Sequence, residues 1–305
     1  MKHIIILLLL CTVSCRPQDK NNVQSKNNSM EKKKEITPIM YGLAFNSYLP
    51  FEVYLDDIPV KKWYRNSLNT FIDLNPYLLG NGEHTIKVVL LPDTGQEDML
   101  IEPKDMVMNK LKLVRFEKQT VPGMSRAKNY TELRSFDFPK LDAPVPRLEQ
   151  EWDIDITDLP YELEGWRNSQ DLRLMDSKEL EKKVVGFYEN LIELLDKGEV
   201  DTYMNMLSKF YDETDTVEYL SKKESQQEKD EIRQELINES KGYMQPLTNY
   251  SVFIYANGRL VTLERTDTKN LGEPALRTKK PNGEEVFYYT YLHLPNDSNE
   301  FEIIR

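Results

Sequence analysis

The sequence predicts an all-β sandwich followed by an α+β domain whose helices pack on a bent antiparallel sheet. Three observations carry this. Between residues 37 and 158, short runs of alternating apolar and polar residues are separated by Pro, Gly, Asn and Asp, as in roughly seven half-buried strands joined by turns. From residue 176 the apolar residues take helical spacing. Beyond residue 250, two Asn-Gly pairs divide strand-like runs, the mark of hairpins. Helices followed by antiparallel strands is an α+β order.

The chain opens with Met1-Lys2-His3 and an unbroken apolar run, Ile4 to Leu10. A positive start, a short apolar run and small residues before a cleavage point make a secretory signal. The run is too short to span a bilayer, which needs roughly 20 apolar residues. Thr12-Val13-Ser14-Cys15 resembles the lipobox of bacterial lipoproteins, with Thr12 where that family usually has Leu. The resemblance implies cleavage after residue 14 and Cys15 as the acylated first residue, palmitate being one of its acyl groups. It also implies a cell-envelope location; in a Gram-negative host Arg16 is compatible with outer-membrane sorting, facing the periplasm or the surface. The alternative is an ordinary secretory signal with incidental cysteines. Residues 15–36, nearly without apolar side chains and with six basic residues against three acidic between 16 and 36, cannot bury enough surface to fold and read as a flexible tether.

Within 37–158, Tyr41–Tyr48 and Phe51–Val60 are the first expected strands, the second alternating Phe51, Val53, Leu55 with Glu52, Tyr54, Asp56, and Asp56-Asp57 and Pro59 marking a turn near its end. Asn69–Leu74, His84–Leu91, Met108–Thr120, Glu132–Pro139 and Arg147–Ile156 follow. Residues 51–92 resemble the jelly-roll modules found on many glycosidases and surface proteins, through Asp73, Leu74, Leu78, Leu79, Gly82, His84, Ile86 and Val88. That likeness concerns turns and core and implies a fold, not an activity. Residues 159–175, with Pro160 and Gly165, read as a linker in which Trp166 packs at an interface or caps the next domain.

Residues 176–305 begin with Asp176 three places before Glu179, a capping arrangement. Leu180, Val184, Phe187, Leu191, Leu194 and Leu195 then recur at helical spacing until Gly198, a good terminator. Tyr203, Met206, Leu207, Phe210 and Tyr211 mark a second helix; Asp212, Glu213 and Asp215 after it read as a solvated turn. Ser221–Glu231 has no apolar residue and is an exposed helix or a loop. Tyr250–Ala256 and Arg259–Arg265 form a hairpin about Asn257-Gly258; Ala275–Lys279 and Glu285–Leu294 form another about Asn282-Gly283; Phe301–Ile304 is a last short strand. This layout resembles the cone-shaped nuclear-transport-factor-like fold, with a cystatin-like helix-on-sheet fold nearly as good.

Composition narrows the chemistry. The chain has 305 residues, two cysteines (both within the first fifteen residues), three histidines and a net charge of −11. Without Cys11 and with Cys15 acylated, the mature domains hold no thiol for a disulfide, nucleophile or thiolate metal site. An acidic chain lacks the clustered positive charge that nucleic acid requires. No zinc-protease helix, G-x-S-x-G elbow, P-loop or G-x-G-x-x-G is present. No catalytic residues, metal site or cofactor are therefore expected, with a hydrolase built on a carboxylate pair the least favoured class. Asp153 and Asp155 share a strand face and read as a solvated edge rather than a calcium site. The suggestive surface is aromatic. Strict alternation places Phe287, Tyr289, Tyr291 and His293 on one side, with Phe253 and Tyr255 able to face them. These six either line a ligand cavity or fill a core. The expected function is a lipid-anchored binding protein, held to the membrane by its lipid, with a protein partner foremost and toxin neutralisation as one version. The alternative is a small-molecule or glycan module using the aromatic cavity.

Overall fold

The computed structural model describes residues 36–93, 99–121 and 124–305. Cys15, the signal and nearly all of the tether lie outside the described residues. The structure consists mostly of antiparallel sheets, with the helices of 177–240 packed near strands.

Eight strands precede residue 158: β1 Ile39–Ser47, β2 Phe51–Leu55, β3 Ile58–Trp63, β4 Leu68–Asp73, β5 Gly82–Leu90, β6 Lys110–Val121, β7 Met124–Phe136 and β8 Leu148–Ile156. They form two four-stranded sheets, ordered β4-β1-β6-β7 and β3-β2-β5-β8. Alternate residues of both sheets meet in one buried cluster, including Leu43 and Phe45 from β1, Phe51 and Val53 from β2, Ile86 and Val88 from β5, and Leu111 from β6. The turn expected at Asp56-Asp57 is present, and it divides 51–60 into the two strands of a hairpin rather than ending one strand. Asp56 and Asp57 both take positive φ, 48° and 67°, a backbone that Asp tolerates better than most residues. Asp56 fixes that turn by accepting from the Thr85 amide at 2.9 Å and lying 2.6 Å from His84 Nδ1.

Helix α1, Ser177–Lys197, begins and ends where the sequence signals it. Asp176 accepts from the amides of Lys178 and Glu179, and Gly198 closes the helix in the left-handed region. Helices α2 Val200–Met206, α3 Ser208–Val217 and α4 Lys222–Ser240 follow. The polar stretch Ser221–Glu231 is therefore helical. Ser221 and Glu224 form a capping box, and Ile232 and Leu236 bury the other end. Asp212, Glu213 and Asp215 lie inside α3, not in a turn, and Glu213 is buried.

Strands β9 Tyr250–Tyr255, β10 Leu260–Arg265, β13 Leu292–His293 and β14 Glu302–Ile303 form a sheet ordered β14-β13-β10-β9, beside the pair β11 Arg277–Lys279 and β12 Glu285–Phe287. Val184, Tyr188 and Leu191 of α1 pack against Val261, Leu263 and Leu292 in a second cluster. The expected strand 285–294 is broken: β12 and β13 are separated by residues 288–291, which belong to no strand. Strict alternation is lost there, so Tyr289 is 55% exposed while Phe287, Tyr291 and His293 are buried.

A third cluster joins the two halves. Ile58 and Leu79 meet Leu163 and Trp166 of the expected linker, together with Tyr255, Leu260 and Tyr291. The connection is thus part of a core, with Trp166 at the junction.

Candidate binding cavity

The outward residues of the β3-β2-β5-β8 sheet determine what happens at this junction. In a free sheet, Glu52, Tyr54 and Lys62 would face water. Here they face the second half. Lys62 Nζ donates to Glu264 Oε2 at 2.5 Å and to the Tyr255 hydroxyl at 2.8 Å, and that hydroxyl donates to Glu264 Oε1 at 2.9 Å. Glu52 accepts from the Tyr54 and Tyr64 hydroxyls at 2.6 and 2.5 Å. Burial raises the Glu264 carboxyl above the usual range, and Lys62 and Tyr255 oppose the rise. Both oxygens of Glu264 accept hydrogen bonds, which offsets part of the cost of burying the group.

Beside this network lies a cavity of about 360 Å³. One wall is the end of β3 and the following residues, with Lys61, Trp63, Tyr64 and Arg65. The loop 268–273, the unpaired run with Tyr289 and Tyr291, Tyr203, Phe210 and Tyr211 of α2 and α3, and Arg305 are also part of the lining. The volume is in the range of small-molecule sites. Gly272 allows the loop to approach: at φ +73°, a Cβ built on it would stand 2.8 Å from the Tyr64 ring.

Arg305 is held in place by three acceptors and a ring. Nε donates to the Pro76 carbonyl at 2.7 Å, and Nη1 donates to Glu213 Oε2 and the Ile304 carbonyl, both at 2.7 Å. The guanidinium lies 5.1 Å from the Trp166 ring centre, a cation–π contact. Its Nη2 is buried and has no hydrogen-bond partner among the described residues. Burial raises the hydroxyl pKa of nearby Tyr77, and the Arg305 charge opposes the rise.

Of the six aromatic and histidine positions singled out from sequence, Phe287, Tyr289 and Tyr291 line this cavity. Tyr255 stands behind it, with its ring 6.1 Å from that of Tyr291 and 6.1 Å from that of Phe253. His293 is elsewhere: its Nδ1 is 2.8 Å from Ser169 Oγ and its Nε2 is 3.4 Å from Glu302, and burial lowers its pKa, with Lys209 adding to the effect. Lys62, Tyr64, Glu213, Glu264 and Arg305 were not legible as site residues. Of these only Lys62 carries a sequence signal, as a Lys on the outward face of the first hairpin. Asp153 accepts from Thr85 Oγ1 at 3.0 Å, and among the described residues no group of three or more His, Cys, Asp or Glu is arranged to hold a metal. No described helix is long and apolar enough to cross a membrane. Comparison with protein-family models, curated proteins and solved structures yields no match.

Proposed function

We propose that this is a lipid-anchored cell-envelope protein that binds a small molecule without transforming it, in the cavity between a β-sandwich domain (37–158) and an α+β domain (176–305). The observation that carries this reading is the cavity of about 360 Å³ with aromatic residues from both halves. Of the two carboxylates in the lining, Glu264 has both oxygens engaged by Lys62 and Tyr255, an arrangement that supports binding rather than acid–base chemistry. The anchor is Cys15, with 16–36 as tether.

The test is equilibrium dialysis of 2-naphthamide and 2-naphthoate against the full chain in lipid nanodiscs, with empty nanodiscs subtracted. Tyr289 is the wall residue to alter because it is half exposed and its loss leaves the core intact. Saturable binding of one of these ligands, weakened about threefold to tenfold by Tyr289→Ala, is expected. No saturable binding, or binding indifferent to that change, overturns the reading. Labelled-palmitate incorporation that Cys15→Ser does not abolish overturns the anchor.

A protein partner is the second reading, and one surface favours it. Phe71, Phe116 and Tyr130 form a row of rings across β4, β6 and β7, with centroids 5.8 and 6.5 Å apart. Phe71 and Tyr130 are about half exposed. Exposed apolar patches of this kind mark interaction surfaces. Capture of an envelope protein that Phe71→Ser and Tyr130→Ser both abolish supports this reading; unchanged capture removes it.

A further inference from the structure

We propose that the cavity selects organic anions: its ligand carries an oxyanion that satisfies Arg305, on an aromatic or similarly flat body held between Tyr64 and Tyr289. The proposal rests on the small-molecule reading above and specifies the ligand's charge.

Two independent observations lead to it. The first is the unused donor. Arg305 lines the cavity, and its Nε and Nη1 are committed to Pro76, Glu213 and Ile304. Its Nη2 is buried with no partner among the described residues. A buried guanidinium nitrogen left unpaired costs free energy, more so because the group is charged. A carboxylate or phosphate oxygen is the acceptor that best matches a guanidinium edge. Glu213 already neutralises the other edge, so a bound anion meets an ordered, stacked and immobile donor rather than a free side chain that must first be fixed.

The second is the local charge. The whole chain carries −11, yet the cavity lining inverts the sign. Five basic residues, Lys61, Lys62, Arg65, Lys269 and Arg305, face two acidic ones, Glu264 and Glu273. Lys62 is matched by Glu264 at 2.5 Å and Arg305 by Glu213 at 2.7 Å. Within the described lining, Lys61, Arg65 and Lys269 then stand against Glu273, with Glu285 outside it also acting on Lys269. A cleft of one sign in a protein of the other concentrates the oppositely charged ligand. In an envelope protein repelling anions at large, this lining is the place where they are attracted. The body of the ligand follows from the walls: Trp63, Tyr64, Tyr289 and Tyr291 offer ring faces, which suit a flat aromatic or sugar-ring surface.

The test uses matched ligands that differ in charge alone. 2-Naphthoate, 2-naphthyl phosphate and the neutral 2-naphthamide are titrated by equilibrium dialysis into the full chain in nanodiscs of neutral lipid. The acid is expected to bind about tenfold or more tightly than the amide, the size of one charge-assisted hydrogen bond. The two anions together separate a carboxylate site from a phosphate site. Arg305→Met is expected to abolish the preference, bringing the affinities for acid and amide to within about twofold of each other. Since Arg305 also supports the junction, exposed Lys269→Glu serves as the second variant. It is expected to reduce anion binding about threefold without changing the melting temperature, and added salt is expected to reduce it further. If the amide binds as well as both anions, the anion proposal is wrong and the cavity reading stands. If none of the three binds, both fall. Anion preference that survives both Arg305→Met and Lys269→Glu also overturns the proposal.

Discussion

Replacing Glu213 by alanine should loosen the junction between the two halves. Its side chain and that of Arg305 are 10% and 7% exposed, so water screens the pair little. Glu213 Oε2 accepts from Arg305 Nη1 at 2.7 Å, and Oε1 accepts from the Gly165 amide at 2.8 Å. Gly165 takes φ +53°, and its amide has Glu213 Oε1 as its acceptor in this turn. Removing one member of a buried ion pair costs about 3–5 kcal/mol, and a stranded amide costs about 1–3 kcal/mol more. Relaxation and entering water offset part of this, leaving a loss of roughly 3–6 kcal/mol. For a chain of this size that is a fall in Tm of about 10 °C or more. Glu213→Gln keeps an acceptor for Gly165 and should lose about half as much. The assay is urea unfolding at pH 7 followed by near-ultraviolet circular dichroism, which reports the packed aromatic junction. Glu213→Ala combined with Arg305→Met should be more stable than Glu213→Ala alone, because the stranded charge is gone. A single variant within about 1 kcal/mol of the parent, or a double variant no better than the single, would refute the reasoning.

Two other changes have distinct readouts. Gly272→Ala puts a Cβ 2.8 Å from the Tyr64 ring in a left-handed backbone. It should cost about 1–2 kcal/mol, moving loop 268–273 outward and weakening ligand binding several-fold; unchanged binding and unfolding midpoint would show that the loop closes without it. Burial, followed by repulsion from Glu218 and opposed by Lys118, raises the Asp73 carboxyl to about 7. Between the ordinary carboxyl pKa and about 7 the folded protein holds a proton there that the unfolded chain has released, so the Asp73 contribution to stability is greatest below the ordinary carboxyl pKa and is lost as pH rises through about 7. Asp73→Asn should remove this decline and raise stability at pH 8 by roughly 1–3 kcal/mol. Parallel stability–pH curves for parent and variant would contradict it.

Local grammar made much of the fold legible. Asp176 and Gly198 bound α1 because a side-chain cap and a left-handed glycine act within a few residues of themselves. Asn257-Gly258 placed the β9–β10 turn for the same reason. Where sequence reasoning went astray, the deciding contact was distant. Asp56-Asp57 became a full hairpin turn, supported by His84 and Thr85 on β5. Ser221–Glu231 could have been loop or helix until Ile232 and Leu236 buried its far end. Glu213 looked solvated because acidic neighbours surround it; its partner is 92 residues away. The cavity was half legible. Phe287, Tyr289 and Tyr291 stood out by type, whereas Lys62 and Arg305 acquire meaning only when the outward face of one sheet meets the other half. His293 shared the expected alternation, but the break after Phe287 sent it to Ser169 instead.

The most direct measurement is a crystal structure of the full chain grown with saturating 2-naphthoate. The naphthyl ring should lie between Tyr64 and Tyr289, with its carboxylate on Arg305 Nη2. Density confined to the Phe71–Tyr130 face, or an unfilled junction at saturating ligand, would contradict the account.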